Sequence, residues 1–329
     1  MEIKRKAAVT TCLVLAVMTI LSYGVLAQEK FPDKLVKFIV SMAAGGGNDI
    51  ELRMLQPPLE KALGAPIVIE NRGGAGSQIA NTLVHRSPAD GYTVLYTNWE
   101  YLVLTTILQK PDYRVQDFEP LVVQLVDPRI MMVLKNSPYN SVTDFINAAK
   151  ASPGKLAVSV SQGGNQHLLM LALRNLLKLD FRIVGYPGGG PARANMLGGH
   201  VDASMAEVQG GYYLRAQTKA LGIFSDSINP LWPEAKPVNE QLKPFGVEIP
   251  ELARHALYMV RADVKSKYST RYARLRDALV SASKDPGYLE AAKKATLDSL
   301  LVFAPAERYA DTFKRQLEFF EQTREWWKE

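Results

Sequence analysis

Residues 36–50, VKFIVSMAAGGGNDI, run from an apolar strand through three consecutive glycines into a helix start. A strand ending in such a loop aims backbone N–H groups and a helix N-terminus at one small volume, which suits an anion. Three glycines exceed what the turn requires, because each missing side chain also lets a ligand approach the backbone. Asn48 or Asp49 supplies the helix N-cap in this reading, and Gly45, Gly46 and Gly47 supply the access.

The surrounding order of elements sets the fold class. Residues 67–70 read as a second strand, ending in Asn71-Arg72-Gly73-Gly74-Ala75-Gly76, a run equally suited to a structural turn or to binding. Residues 77–85 look helical, and a Pro88-Ala89-Asp90-Gly91 turn leads to a strand over residues 92–97. This βαβαβ order implies a parallel sheet covered by helices, with ligand crevices beyond the C-terminal ends of its strands. Both the glycine loop and Thr97-Asn98-Trp99 sit at such ends.

The same unit recurs. A strand over residues 156–161 enters Gln162-Gly163-Gly164-Asn165-Gln166-His167 and another helix, and a strand over 182–186 leads to Pro187-Gly188-Gly189-Gly190. Further strands are expected at 130–134, 201–205 and 220–224, and a helix at 142–151. Residues 227–250 lose periodicity and carry five prolines. A strand at 255–260 can return the chain to the first sheet, and 267–282, 287–295 and 305–327 show helical spacing. Trp326 and Trp327 are expected to pack the last helix onto the first lobe, or to dock a partner if exposed. The predicted architecture is an α/β two-lobed clamshell, each lobe a mainly parallel sheet flanked by helices. Lobe I spans 28–128 plus 252–329 and lobe II spans 129–251.

Residues 1–27 read as a cleavable export signal, with an uncleaved membrane anchor as the alternative. Lys4, Arg5 and Lys6 precede a mostly apolar run, short and interrupted by Thr10, Thr11, Thr19 and Ser22, and Val25-Leu26-Ala27 offers a small-residue cleavage site near Ala27. The only cysteine, Cys12, lies inside that run, so the mature chain has no thiol for a disulfide or metal. The formal charge is +6, of which the residues before the cleavage site contribute a net two. No Lys/Arg run forms a nucleic-acid footprint.

Catalytic and cofactor signatures are missing: there is no GxSxG, HExxH or GxxxxGK[ST]. The four histidines lack metal-ligand spacing, and Ile79 stands where a dinucleotide loop needs its third glycine. We expect no catalytic residue, cofactor or metal. Ser161, Gln162 and Asn165 suit a ligand better, since uncharged donors hold an anion without the desolvation cost of a buried ion pair. His167 opens a helix, where its ring can cap backbone or pack at the cleft floor.

VKFIVSMAAGGGNDI, VIENRGGAGSQIA, PADGYTVL and the spaced YPGGG and MLGGHVD together resemble the Bug receptors, the substrate-binding subunits of tripartite tricarboxylate transporters. The resemblance implies a periplasmic type II binding fold that closes on a small carboxylate and hands it to a two-component membrane permease. It further implies that the carboxylate is held by two loops, here Ser41, Ala44, Gly45, Gly46, Gly47, Asn48 and Asp49 from one lobe. The other contributes Ser161, Gln162, Gly163, Gly164, Asn165 and His167. Asn98 falls in the third strand's exit loop, and Tyr186 to Gly190 form the remaining wall. Departures from the family pattern are Ser41-Met42, Asn98-Trp99-Glu100-Tyr101 and Glu207. A cleft-facing Glu100 or Glu207 would repel a second carboxylate and favour an amine or hydroxyl, whereas either could instead face solvent or pair with Arg or Lys. The expected partners are a small carboxylate and a permease, with no nucleic acid, and the receptor is expected to be a monomer. Two rival readings remain open, an exported sensory or assembly protein and an enzyme on the same scaffold.

Overall fold

The computed structural model describes residues 30–328, so the export signal lies outside the described residues. Strand β1 (Val36–Val40) leads through the glycine loop to α1 (Gly47–Leu63), β2 (Ile67–Asn71), α2 (Gln78–Arg86), β3 (Thr93–Asn98) and α3 (Trp99–Leu108). β4 (Phe118–Asp127) is separated from β5 (Arg129–Leu134) by Pro128 alone. The chain continues through α4 (Val142–Ala151), β6 (Ala157–Ser161), α5 (Asn165–Leu176), β7 (Arg182–Tyr186), α6 (Gly189–Leu197) and β8 (Ala203–Glu207). After α7 (Val208–Tyr212) and β9 (Thr218–Phe224), an irregular stretch holding α8 (Val238–Leu242) leads to β10 (Arg254–Arg261). The remainder is α9 (Asp263–Lys267), α10 (Ser269–Ala282), α11 (Pro286–Lys294), β11 (Leu301–Ala304) and α12 (Ala310–Gln322).

These strands form two sheets, one ordered β11-β4-β10-β3-β1-β2 and the other β7-β6-β8-β5-β9. β1 runs parallel to β2 and β3, and β6 to β7 and β8. The remaining neighbours are antiparallel, namely β10 with β3 and β4, β11 with β4, and β5 with β8 and β9. The sheets are therefore mixed, where the sequence reading expects them mainly parallel. The cause is the double crossing: β4 leaves the first sheet and β10 re-enters beside it in the opposite sense.

The core follows from alternation along the strands. Val36, Phe38 and Val40 of β1 pack with Leu52, Leu55 and Leu59 of α1, while Ile39 faces Ala80 and Val84 of α2. A strand buried on both faces reads as a near-continuous apolar run, broken here only by the exposed Lys37, which is why residues 36–40 are legible. The two longest elements that are not legible show why. α3 is apolar almost all round and buried along most of its length, so it has no amphipathic period to detect. β4 carries Pro120, tolerated because the β4–β10 register shifts between Tyr258 and Met259, the partner of Pro120.

The C-terminal helix breaks into Ala306–Tyr309, α12 and Arg324–Lys328. Phe313 of α12 stacks on Trp99 with ring centroids 4.3 Å apart. Trp327 corrects the expectation that both tryptophans pack on the first lobe: its ring meets His167, at the start of α5, edge-on at 5.5 Å. Trp326 instead packs against Phe319 of the preceding helix.

Candidate functional site

Three helices begin at the C-terminal ends of parallel strands on glycine N-caps with no side-chain cap: α1 on Gly46, α5 on Gly164 and α6 on Gly188. By contrast, α4 is capped by the Ser141 side chain and α11 by that of Asp285. The first N–H groups of a helix have no intrahelical partner, so these three termini present donors and positive dipole ends to an anion.

The first loop is held from below. Ser41 Oγ donates to Thr97 Oγ1 at 2.8 Å, and Asn48 Nδ2 donates to Asn98 Oδ1 at 3.1 Å. Gly45 has φ +76°, a conformation that favours glycine, and its N–H donates to Asp49 Oδ2 at 2.8 Å. Asp49 therefore reaches back from the first turn of α1, and the N-cap itself is Gly46 rather than Asn48 or Asp49. Burial pushes the Asp49 carboxyl up, but the bonds from Gly45 and Arg53 outweigh it and hold it below the usual range. Ala44, Gly45 and Gly47 are exposed. The Asn71–Gly76 run has a structural role here: a Cβ on Gly73 would lie 2.8 Å from the Ala43 backbone nitrogen. Only a glycine lets this turn support the first loop so closely.

The second loop is bound more tightly to its surroundings. Ser161 N–H donates to Gln166 Oε1 at 2.9 Å, and Gln162 N–H donates to the Tyr186 carbonyl at 2.9 Å. Gln162 and Gly163 are exposed, Ser161 and Tyr186 half-buried, and a Cβ on Gly164 would lie 3.1 Å from the Tyr101 hydroxyl of α3. This contact brings lobe II against lobe I. Asn165 is buried, and its Nδ2 donates to the carbonyls of Leu252 and Ala253 at 2.8 and 3.2 Å, tying α5 to the returning strand. His167 packs on Trp327, and burial lowers its pKa. The structure thus gathers Ser41, Asn48, Asp49 and Asn98 around one loop and Ser161, Gln162, Gly164 and Tyr186 around the other. The Asn165 side chain is engaged with backbone between the lobes.

Beneath the loops lies a charged floor. Arg254 Nη2 donates to both Glu51 carboxylate oxygens, at 2.6 and 2.5 Å, and its Nε to Asn98 Oδ1 at 3.3 Å. Arg129 stands 3.4 Å from Glu100 and 3.1 Å from Glu207, whose other oxygen lies 3.2 Å from Arg193. Gln166 Nε2 donates to Glu207 Oε1 at 2.8 Å, so the second loop is bonded to this network. Glu100 is buried, which raises its pKa against the pull of Arg129. Burial also pushes Glu207 up, but Arg129 and Arg193 outweigh it and keep its pKa low. Both glutamates thus pair with arginine, one of the alternatives the sequence left open. Glu51, Arg129, Arg193 and Arg254 went unread, since isolated charges carry no motif.

Asp127, where β4 crosses toward β5, accepts from Val208 N–H at 3.0 Å, and its other oxygen is buried without a hydrogen bond. Burial raises its carboxyl to about 7 against the pull of Arg129 and Arg254. The folded state therefore holds this proton between about pH 4 and 7 while the unfolded chain releases it, so this group makes stability fall as pH rises through that window. Asp127→Asn keeps an acceptor for Val208 and removes the slope, at ~1.4 kcal/mol per pH unit. Urea midpoints at pH 4.5, 6 and 8 should show the variant gaining on the parent as pH rises; parallel profiles would refute the assignment. His255, pushed down to about 4 by burial, acts oppositely as pH falls from its ordinary range, but it is common to both proteins and cancels in the comparison.

Comparisons with known proteins bear on this geometry. The model of the tripartite tricarboxylate transporter family receptor, TctC, matches residues 52–315. A UPF0065 protein from the tcbD-tcbE intergenic region of Pseudomonas sp. (strain P51) is 26% identical over 294 residues, covering 88% of this chain and 85% of that one. A TctC solute-binding protein from Polaromonas superposes with a TM-score of 0.75 at 22% identity, over 90% of this chain and 99% of that one. MatC from Rhodopseudomonas palustris, solved with bound malate, superposes with a TM-score of 0.70 at 23% identity, over 89% and 99% of the two chains. At these identities the superpositions speak for the fold, a two-lobed periplasmic binding architecture.

Proposed function

Since this chain belongs to the tripartite tricarboxylate transporter receptor family, TctC, we propose that it is a periplasmic receptor that captures a small organic carboxylate between its lobes. We further propose that it delivers this ligand to a two-component membrane permease. The observation that carries the reading is the set of three glycine-capped helix termini without side-chain caps, α1 from lobe I and α5 and α6 from lobe II. Backbone donors from both lobes then share one carboxylate, and closing the lobes completes the site, so the closed form is what a transporter can recognise. The malate bound by MatC is a small carboxylate of the kind this reading requires. The export signal over residues 1–27 supports the compartment.

Thermal-shift screening of the mature protein against mono-, di- and tricarboxylates, amino acids and aromatic acids tests this. A ligand at a hundred times its dissociation constant should stabilise the fold by about 2.7 kcal/mol. No shift with any carboxylate would count against the reading, and unchanged uptake of the bound acid after gene deletion would count against delivery to a permease.

A further inference from the structure

Glu207 sits where it can choose between ligands. It ends β8, directly across from Arg129 of β5 in the antiparallel pairing, and Gln166 of the second loop donates to it. On its other side, a Cβ on Gly189 at the start of α6 would lie 3.2 Å from Glu207 Oε2 and 2.8 Å from Arg193 Nη1. The carboxylate is therefore set between two of the three loops that present helix termini, with about a quarter of its side chain (27%) open.

The guanidiniums beside these loops already have carboxylates: Arg254 holds Glu51, Arg193 holds Glu207, Arg129 stands between Glu100 and Glu207, and Arg53 holds Asp49. A diacid entering this cleft has to place its second carboxylate among side chains whose charges are already matched. Its far carboxylate has to displace a carboxylate the protein supplies, or lie close to one, and like charges brought together are penalised. A hydroxyl or ammonium at the same place finds an acceptor instead.

Resting on the carboxylate-receptor reading above, we propose that Glu207 makes this receptor selective for monocarboxylates whose far end is neutral and polar or cationic. Glu207 is the internal substitute for a diacid's second carboxylate, and Arg129 and Arg193 fix it in place. Selection arises from repulsion as much as from attraction.

The test uses acids differing at the far end alone: 4-hydroxybutanoate against succinate, 6-aminohexanoate against adipate, and 4-hydroxybenzoate against terephthalate, each titrated calorimetrically into the mature protein. In at least one pair the monocarboxylate should bind about 100-fold more tightly than the diacid. Glu207→Gln, which frees Arg193 and part of Arg129, should bring that ratio below about threefold or invert it. Should that variant fail to fold, Arg193→Gln leaves Glu207 less neutralised and should widen the ratio. Diacids that bind the parent as tightly as their partners in every pair that binds, or a ratio that neither variant moves, overturn the role of Glu207 while leaving a carboxylate receptor standing. Binding by none of the six acids counts against the receptor reading, and the inference falls with it.

Discussion

Arg254→Leu is expected to destabilise the fold by about 3–5 kcal/mol, the cost of leaving a buried charge without its partner. Glu51 and Arg254 are 2% and 9% exposed, and the guanidinium donates to both carboxylate oxygens. Removing it strands Glu51 on a face of α1 where the remaining donor is the Tyr96 hydroxyl at 2.6 Å. Tyr96 in turn stacks on Tyr258 of β10 with centroids 4.4 Å apart, so the disturbance spreads into the centre of the first sheet. Asn98 loses a donor as well, and with it part of what holds Asn48 in the first loop. Urea unfolding should therefore show a lower midpoint, and ligand affinity should fall beyond what the stability loss explains. The double variant Glu51→Leu/Arg254→Leu should recover much of the lost stability, because apolar replacement of a whole buried pair is often neutral or favourable. A single-variant loss below about 1 kcal/mol would show the pair to be solvated and the charged floor to be incidental.

This pair also shows where sequence reading stops. β1, the glycine loop and α1 are legible together because the signals are local: an apolar run, consecutive glycines, then Leu52, Leu55, Leu59 and Leu63 at helical spacing. The repeat of that unit at residues 156–176 exposes the two-lobed plan for the same reason. Glu51 and Arg254 are 203 positions apart and meet because β10 re-enters the first sheet beside β3. No local pattern announces such a meeting. Glu207 could be singled out as unusual, but its arginine partners could not, since Arg129 and Glu207 face each other through strand register. The ring of His167 had two readings from sequence, and Trp327, 160 residues away, takes it as a packing partner.

Gly47→Val is expected to abolish detectable ligand binding, a loss of at least about 100-fold or roughly 2.8 kcal/mol, while leaving the fold intact. Among the three glycines it makes the cleanest test. Gly45 has φ +76°, so any side chain there strains the backbone, and a Cβ on Gly46 would press on the Ala43 carbonyl at 3.1 Å. A Cβ on Gly47 meets only ordinary contacts, Glu51 at 3.5 Å and Arg254 at 3.6 Å. The residue is exposed and opens α1, where valine's helix propensity is no worse than that of the glycine it replaces. Its isopropyl group would lie at the opening of α1 on the side of Glu51 and Arg254, and is expected to narrow the approach to the first N–H groups of the helix. A melting temperature within about 3 °C of the parent, with no thermal shift from the acid that binds the parent, is the expected result. Normal binding by this variant would make the triple glycine a turn and nothing more, and the carboxylate would have to be held by the second loop and α6 alone.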